Sequence, residues 1–278
     1  MITRPLMRYH GGKFRLAPWI ISHFPQHRVY VEPFGGAAGV LLRKPRSSGE
    51  VYNDLDGDVV NLFRVMRDDA MRKKLIEQIV FTPYSRDEFV AAWEESQEPV
   101  ERARRLLIRA EMGFGSAGAT KGTTGFRMDA QREYGTVAQV WARVPEALAG
   151  IGQRLKGVII ENRDAIKVLS NHDSPDTLFF VDPPYVHSTR KMGGACYRHE
   201  MTDDDHVQLL DNLRNMQGMV VLSGYPHPMY EDALKHWQRI ETQSRIAAGR
   251  GTGIRTEVLW LSPNIERNDL LQHAGIKT

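Results

Sequence analysis

Thr177-Leu178-Phe179-Phe180-Val181-Asp182-Pro183-Pro184-Tyr185 is the stretch on which the rest of the chain turns. Its first five residues are apolar and rich in strand-forming side chains, which predicts a buried strand that the two prolines end. An acid, a rigid turn and an aromatic ring then stand at the C-terminal mouth of a sheet, where open α/β sheets bind ligands. Proline has no N–H, and Pro184 holds its predecessor extended, so the Pro183 carbonyl is free to face a ligand beside Asp182. Two acceptors with Tyr185 as a stacking plane suit an exocyclic amino group on a flat base. The plainer alternative is a strand-ending turn with Tyr185 filling a gap, and three further stretches aimed at the same mouth weigh against it.

Upstream, Val29-Tyr30-Val31-Glu32-Pro33-Phe34 reads as a strand, Gly35-Gly36-Ala37-Ala38-Gly39 as a tight turn, and an apolar helix is expected from Val40. Strand, glycine turn and helix form the entry of a doubly wound nucleotide-binding fold; the strict G-x-G-x-x-G is absent, which disfavours a dinucleotide. A plain tight turn is the other reading. Val51-Tyr52-Asn53-Asp54 is a second strand ending in an acid, placed where acids accept hydrogen bonds from ribose hydroxyls. Asp54 could instead cap the helix expected near Asp58. Tyr9-His10-Gly11-Gly12-Lys13 lets backbone approach an anion or cofactor closely, or is simply a flexible turn. It is no P-loop, because Phe14 follows Lys13 and no strand precedes it.

Downstream strands are expected over Val158–Asn162, with Asp164 just past the end, over Met219–Ser223, and in a hairpin of Arg239–Ile246 and Thr256–Leu261 around Gly249-Arg250-Gly251-Thr252-Gly253. That gives an α/β fold with seven strands, the last pair antiparallel. Thr202 caps a helix over Asp203–Asn215. The loop 186–201, with Lys191, Gly193, Gly194 and Cys196, is a candidate lid.

Between Leu62 and Leu155 the sheet pattern stops. Ser85-Arg86-Asp87-Glu88 is a capping box for a helix through Trp93; further helices are expected over Glu101–Glu111, after Thr136 and at Pro145. The expected division is therefore residues 1–61 with 156–278 as one domain and 62–155 as a helical insertion. Within 102–132 lie Arg102, Arg104, Arg105, Arg109, Lys121, Arg127 and Arg132 against only Glu111 and Asp129, around a glycine-rich loop over 113–127. Such a loop can follow a phosphate backbone and reach base edges; the alternative is a solvated helix face.

The composition fits this reading. In 278 residues, 41% are hydrophobic and 26% charged, a globular balance. The net charge of +3 permits a polyanionic partner. Cys196 is the single cysteine, so no intrachain disulfide or C-x-x-C pair exists, as suits a reducing cytoplasm. No signal peptide and no membrane span are expected.

In this order, Tyr9 with Gly11-Gly12-Lys13, Val31-Glu32-Pro33-Phe34 with Gly36, Asp54 and Asp182-Pro183-Pro184-Tyr185 resemble the Dam-type (alpha-group, D12 class) DNA adenine-N6 methyltransferases. Val221-Leu222-Ser223-Gly224-Tyr225 and Thr256-Glu257-Val258-Leu259-Trp260 add to the match. The resemblance implies a Rossmann-like seven-stranded class I methyltransferase sheet with a helical target-recognition insertion. It implies S-adenosylmethionine as cofactor, contacted by Tyr9 and Lys13, with Glu32, Phe34 and Gly36 lining its pocket, Asp54 on the ribose and Asp164 near the adenine. Asp182 and the Pro183 carbonyl would bind the target amino group, and Tyr185 would stack on the flipped base. Arg104, Arg105, Arg109, Phe114, Lys121 and Arg127 would contact duplex DNA. No metal is implied, and a cytoplasmic monomer is expected. The family's F-x-G-x-G reads Phe34-Gly35-Gly36-Ala37-Ala38, so an alanine replaces its last glycine and is expected to tighten the methionine pocket. The competing readings are an RNA base-amino methyltransferase, an N4-cytosine methyltransferase, and a DNA-binding relative without catalysis.

Overall fold

The computed structural model describes residues 2–115, 118–120, 124–128, 135–190, 196–248 and 251–266. The chain runs α1 (Ala17–Ile21), β1 (Val29–Glu32), β2 (Gly49–Asn53), α2 (Gly57–Arg67), α3 (Asp69–Phe81), α4 (Arg86–Ala91), α5 (Pro99–Met112), α6 (Val137–Ala142) and α7 (Val144–Leu155). It continues with β3 (Val158–Glu161), α8 (Ala165–Asn171), β4 (Thr177–Val181), α9 (Asp203–Arg214), β5 (Met219–Gly224), α10 (Pro228–Ala233), β6 (Gln238–Ala248) and β7 (Gly251–Leu261).

One seven-stranded sheet orders them β3-β2-β1-β4-β5-β7-β6. Strands β1 to β5 pair in parallel; β7 enters antiparallel to β5, and the β6–β7 hairpin pairs through to Ala248 and Gly251. Every residue of β4 and of β5 is buried, as central strands covered on both faces require. One face, with Tyr30, Tyr52, Phe180 and Val221, packs on the helices between β2 and β3. The other, with Val31, Val51, Phe179 and Val220, packs on α8, α9 and α10. Beyond β1 the chain turns to β2 and β3 on one side, and β4 and β5 lie on the other. The sheet therefore changes direction between β1 and β4, and the crevice of a doubly wound fold opens at their C-terminal ends.

The strand expectations hold within a few residues at their ends. Several local expectations do not. No helix follows Val40: the chain makes only turns there, with Leu42 N–H donating to Ala38 at 3.0 Å and Lys44 N–H to Val40 at 2.9 Å. Pro45 disfavours a helical Lys44, whose ammonium is instead drawn to Glu50 at 2.8 Å. The cap of α2 is Asp56, which accepts from Asp58 N–H at 2.9 Å, and not Asp54. Ser85 caps α4 as expected, but the helix stops at Ala91 and Glu88 turns to Arg104 rather than back to the cap. Thr136 and Thr202 each close a full capping box. The helix α3, capped by Asp68, was not foreseen.

The expected boundary at 61/62 falls inside α2. Phe63 of α2 stacks on Tyr52 of β2 at 4.1 Å, and one apolar cluster runs from that sheet face through α2, α3, α5 and α7. Among the described residues no helix is long and apolar enough to cross a membrane.

Candidate active site

A cavity of about 260 Å³ opens at the mouth between β1 and β4. Its wall takes in Tyr9 to Lys13, Glu32 to Ala37, Asp54, Asp164, Asp182, Pro184 and a strap over Tyr197–Met201. The N-terminal glycine segment, the glycine turn, the β2 acid and the β4 acid thus meet at one place, as their order in the chain implied.

The glycine turn is held from three sides. Gly36 sits at φ +48°, its N–H donates to Asp54 Oδ2 at 2.8 Å, and its carbonyl accepts from the Tyr52 hydroxyl at 2.6 Å. A Cβ at Gly36 would lie 2.7 Å from the Tyr9 ring, so only glycine lets Tyr9 reach the cleft wall. Gly39 is equally constrained: a Cβ there would meet the backbone nitrogen of Phe14 at 2.6 Å and displace the segment that carries Lys13. Ala38, at φ +52°, keeps the backbone form of the glycine it replaces. It is fully buried and absent from the cavity wall, so its methyl does not tighten the pocket.

Two acids of the wall are kept protonated to unusually high pH. Burial lifts Asp54 to about 6, against the pull of the Asp56 and Gly36 N–H groups. Burial lifts Glu32 to about 7, against hydrogen bonds from the Tyr30 hydroxyl and the Leu41 N–H, both at 2.7 Å. A carboxyl whose native pKa is raised binds more protons folded than unfolded, so its ionisation withdraws stability between the two values. We therefore expect Glu32→Gln, which cannot ionise, to gain stability relative to the parent protein as pH rises from about 4.5 to about 7, by on the order of 2–3 kcal/mol, and no further above that. Thermal melts of both proteins across that range check it; a constant gap would show that Glu32 does not titrate there.

At the β4 end, Lys13 Nζ lies 3.0 Å from Asp182 Oδ2 and 2.8 Å from the Gly11 carbonyl. It also stands 4.8 Å from the centre of the Tyr185 ring. Burial opposes the ammonium, but Asp182 and Glu257 more than reverse this and raise Lys13. Burial raises Asp182 too, in spite of Lys13. The other carboxylate oxygen of Asp182, Oδ1, is buried and makes no hydrogen bond of ordinary geometry within the protein, although the Tyr185 and Ser223 hydroxyls stand close enough to Asp182 to pull its carboxyl down against burial. A buried unpaired acceptor costs about 1–3 kcal/mol, so it marks a place where a donor is meant to arrive. The Tyr185 hydroxyl donates to Glu257 at 2.9 Å and lies 3.0 Å from the Ser223 hydroxyl. The ring is thereby fixed, edge-on to Tyr225 at 4.5 Å.

No local pattern singles out Tyr197, Arg198 and Glu200, which lie within the expected lid. The Tyr197 hydroxyl donates to the His10 carbonyl at 3.3 Å, over the glycine segment. Arg198 pairs with Asp56 at 2.9 Å and Asp58 at 3.2 Å. Glu200 pairs with Arg190 at 2.8 Å and accepts from the Tyr197 N–H at 2.9 Å, while Arg190 also donates to the Tyr185 carbonyl. The part of the expected lid over 191–195, Lys191 included, lies outside the described residues. Asp164 lines the cleft and caps α8 through the Lys167 N–H at 3.2 Å.

Other residues read as basic contacts are already paired. Arg104 donates to Glu101 at 2.7 Å and to Glu88 at 2.8 Å; Arg105 donates to Glu101 at 2.6 Å; Arg109 meets Asp58 at 3.1 Å. These acids lie outside the 102–132 window in which the charge was counted. Phe114 is exposed at the foot of the glycine-rich loop, which an antiparallel bridge between Gly113 and Phe126 closes. Arg127 follows that bridge, its N–H donating to the Met112 carbonyl at 2.8 Å. Lys121 and Arg132 lie outside the described residues. Among the described residues no group of histidine, cysteine and acids could hold a metal.

Comparison with known proteins names the class. The chain belongs to the D12 class N6 adenine-specific DNA methyltransferases, whose family model matches residues 9–243. It is 25% identical to type II methyltransferase M1.LlaDCHI of Lactococcus lactis subsp. cremoris, over 92% of this chain and 94% of that protein. It is 29% identical to the DNA adenine methylase of Escherichia coli K12 over 40% of this chain and 42% of that one. A shorter stretch, 23% of this chain and 22% of the relative, is 39% identical to the DNA adenine methylase of Haemophilus influenzae.

Proposed function

We propose that this methyltransferase takes its methyl group from S-adenosylmethionine and places it on N6 of an adenine extruded from duplex DNA, with Asp182 as the group that receives the amino protons. The observation that carries the reading is the buried, unpartnered Oδ1 of Asp182 in the wall of the cleft. The donor set suits the cofactor. Among the described residues seven acids and three fixed cations line the cleft, a surplus that favours a ligand bearing a sulfonium and an ammonium. When bound, the cofactor supplies an electrophilic methyl group.

The residues divide the work as follows. Tyr9, Phe34 and Gly36 shape the floor, Glu32 sits beneath it, Asp54 presents remaining lone pairs to a ribose, and Asp164 stands by the adenine. The N6 lone pair of adenine is delocalised into the ring. Accepting both amino protons at Asp182 and the Pro183 carbonyl favours a pyramidal nitrogen whose lone pair is free to attack in line. Tyr185, with Pro184 beside it, offers an apolar face to the extruded base; stacking of about 1–3 kcal/mol offsets part of the few kcal/mol needed to unstack it. Fixing the two reactants in contact contributes at most about 7–11 kcal/mol to lowering the barrier. Phe114 and Arg127, on either side of the Gly113–Phe126 bridge, meet the duplex. Arg104, Arg105 and Arg109 act through the ion pairs that hold this part of α5 in place, and contribute field rather than first contact. Such a reaction belongs in the cytoplasm, beside DNA.

Tritiated S-adenosylmethionine offered with DNA from a methylation-free strain, with ribosomal RNA, or alone tests this. Label in N6-methyladenine of duplex DNA is expected. Label in RNA, in N4-methylcytosine, or nowhere would overturn the proposal.

A further inference from the structure

Glu257 has no part in the scheme above, yet it is buried directly behind the reacting end of the cleft. It lies on β7, where Oε2 accepts from the Tyr185 hydroxyl at 2.9 Å and Oε1 stands 3.5 Å from the Ser244 hydroxyl of β6. Tyr185 carries the Lys13 ammonium over its ring, and Lys13 pairs with Asp182. Two buried carboxylates, one ammonium and one phenol therefore close into a single group. One lysine cannot neutralise both acids, and Glu257 acts on Lys13 next after Asp182.

We propose that Glu257 is a positioning residue for methyl transfer: it locks the Tyr185 ring through its hydroxyl and competes with Asp182 for Lys13, leaving Asp182 a stronger proton acceptor than it would be with the lysine to itself. The inference rests on the reading of Asp182 above. In the step it serves, the N6–carbon bond forms as the carbon–sulfur bond breaks, and sulfur keeps the pair as a neutral thioether. The methylated nitrogen, now positive, gives a proton to the Asp182 carboxylate, which later releases it to water. A weaker acceptor slows that transfer.

The charges facing the pair come from every neighbouring element. Lys13 belongs to the N-terminal segment and Glu32 to β1. Tyr225 follows β5, with Arg255 of β7 5.4 Å from its ring centre. Tyr197 and Tyr230 feel Asp182 as well, and both are held above the ordinary tyrosine range, burial first, so they stay neutral below it. Burial raises Glu257 itself, with Lys13 opposing and Asp182 adding. Removing its charge leaves Lys13 to Asp182 alone and lowers the pH at which Asp182 takes up a proton.

The test uses the full chain in single-turnover transfer of tritiated methyl to methylation-free DNA between pH 5.5 and 9. Glu257→Gln is expected to slow transfer about tenfold or more and to move the acidic limb of the rate profile down by about one pH unit. Tyr185→Phe, which keeps the ring and leaves the Glu257 carboxylate in place, is expected to slow transfer without moving the acidic limb down, because the Tyr185 hydroxyl holds Asp182 lower and its loss acts in the opposite direction. A parental rate in either variant would overturn the inference, as would a slowed Glu257→Gln whose acidic limb has not moved, since a merely structural role predicts that. Calorimetric binding of the cofactor confirms folding, and Tyr185→Phe carries the test if Glu257→Gln does not fold. Asp182→Ala run alongside separates the two claims. Its retention of turnover would end the underlying reading, whereas an inactive Asp182→Ala beside a fully active Glu257→Gln would end this inference alone.

Discussion

Asp182→Ala abolishes methyl transfer, with a loss on the order of a thousandfold or more, and leaves the protein folded and able to bind cofactor. The size follows from the geometry. Among the described residues, the variant removes the one buried side-chain acceptor in the cleft wall without an ordinary hydrogen bond, and the Pro183 carbonyl alone cannot take up the proton that the reaction releases. Some stability is lost as well, because the buried Lys13 loses its 3.0 Å partner, but the Gly11 carbonyl still accepts from its ammonium and the group bearing charge in the cleft wall is the raised, partly neutral Asp182 itself. Loss of turnover with cofactor binding retained is thus the signature. Tritium incorporation into DNA, calorimetry with the cofactor and a thermal melt check it together; near-parental turnover would remove Asp182 from the reaction.

Lys13→Met behaves in the opposite way. It leaves Asp182 and Glu257 buried with no cation between them, and breaking a buried pair from one side costs about 3–5 kcal/mol. Activity is lost as well, since an acid without its lysine takes up a proton and no longer accepts one. The pH dependence identifies the cause. Both acids are raised already with Lys13 present, and without it they rise further, so the folded variant binds more protons than the unfolded chain. Its deficit is then full at pH 8 and shrinks as pH falls through those raised values. Urea unfolding of the two proteins at pH 8 and at pH 5.5 measures this; a deficit independent of pH would mean that Lys13 contributes packing and not charge.

What could be read along the chain was what depends on neighbours in the chain. Val181, Asp182 and the two prolines set a strand end by local sterics, and the acid at that end was found where expected. Asp54 reached the cleft for a comparable reason, although its carboxylate turned out to brace Gly36 and the helix cap fell to Asp56. The pairing of the α5 arginines was not legible because charge was counted over a window of sequence. Their partners Glu88 and Asp58 come from α4 and α2, which fold against α5. The helix expected after Val40 failed on a residue outside the motif, Pro45, which ends the turn before a helix can propagate.

The sequence by itself determined the sheet's alternation of strands and helices, the acid–proline rim and the glycine turn, because each follows from backbone sterics and side-chain period within a few residues. Only the tertiary structure decided that Lys13 pairs with Asp182, and that Tyr185 is tied to Glu257, 72 residues away. The antiparallel insertion of β7 beside β5 brings that glutamate under the rim, and no local rule carries a strand pairing across such a distance.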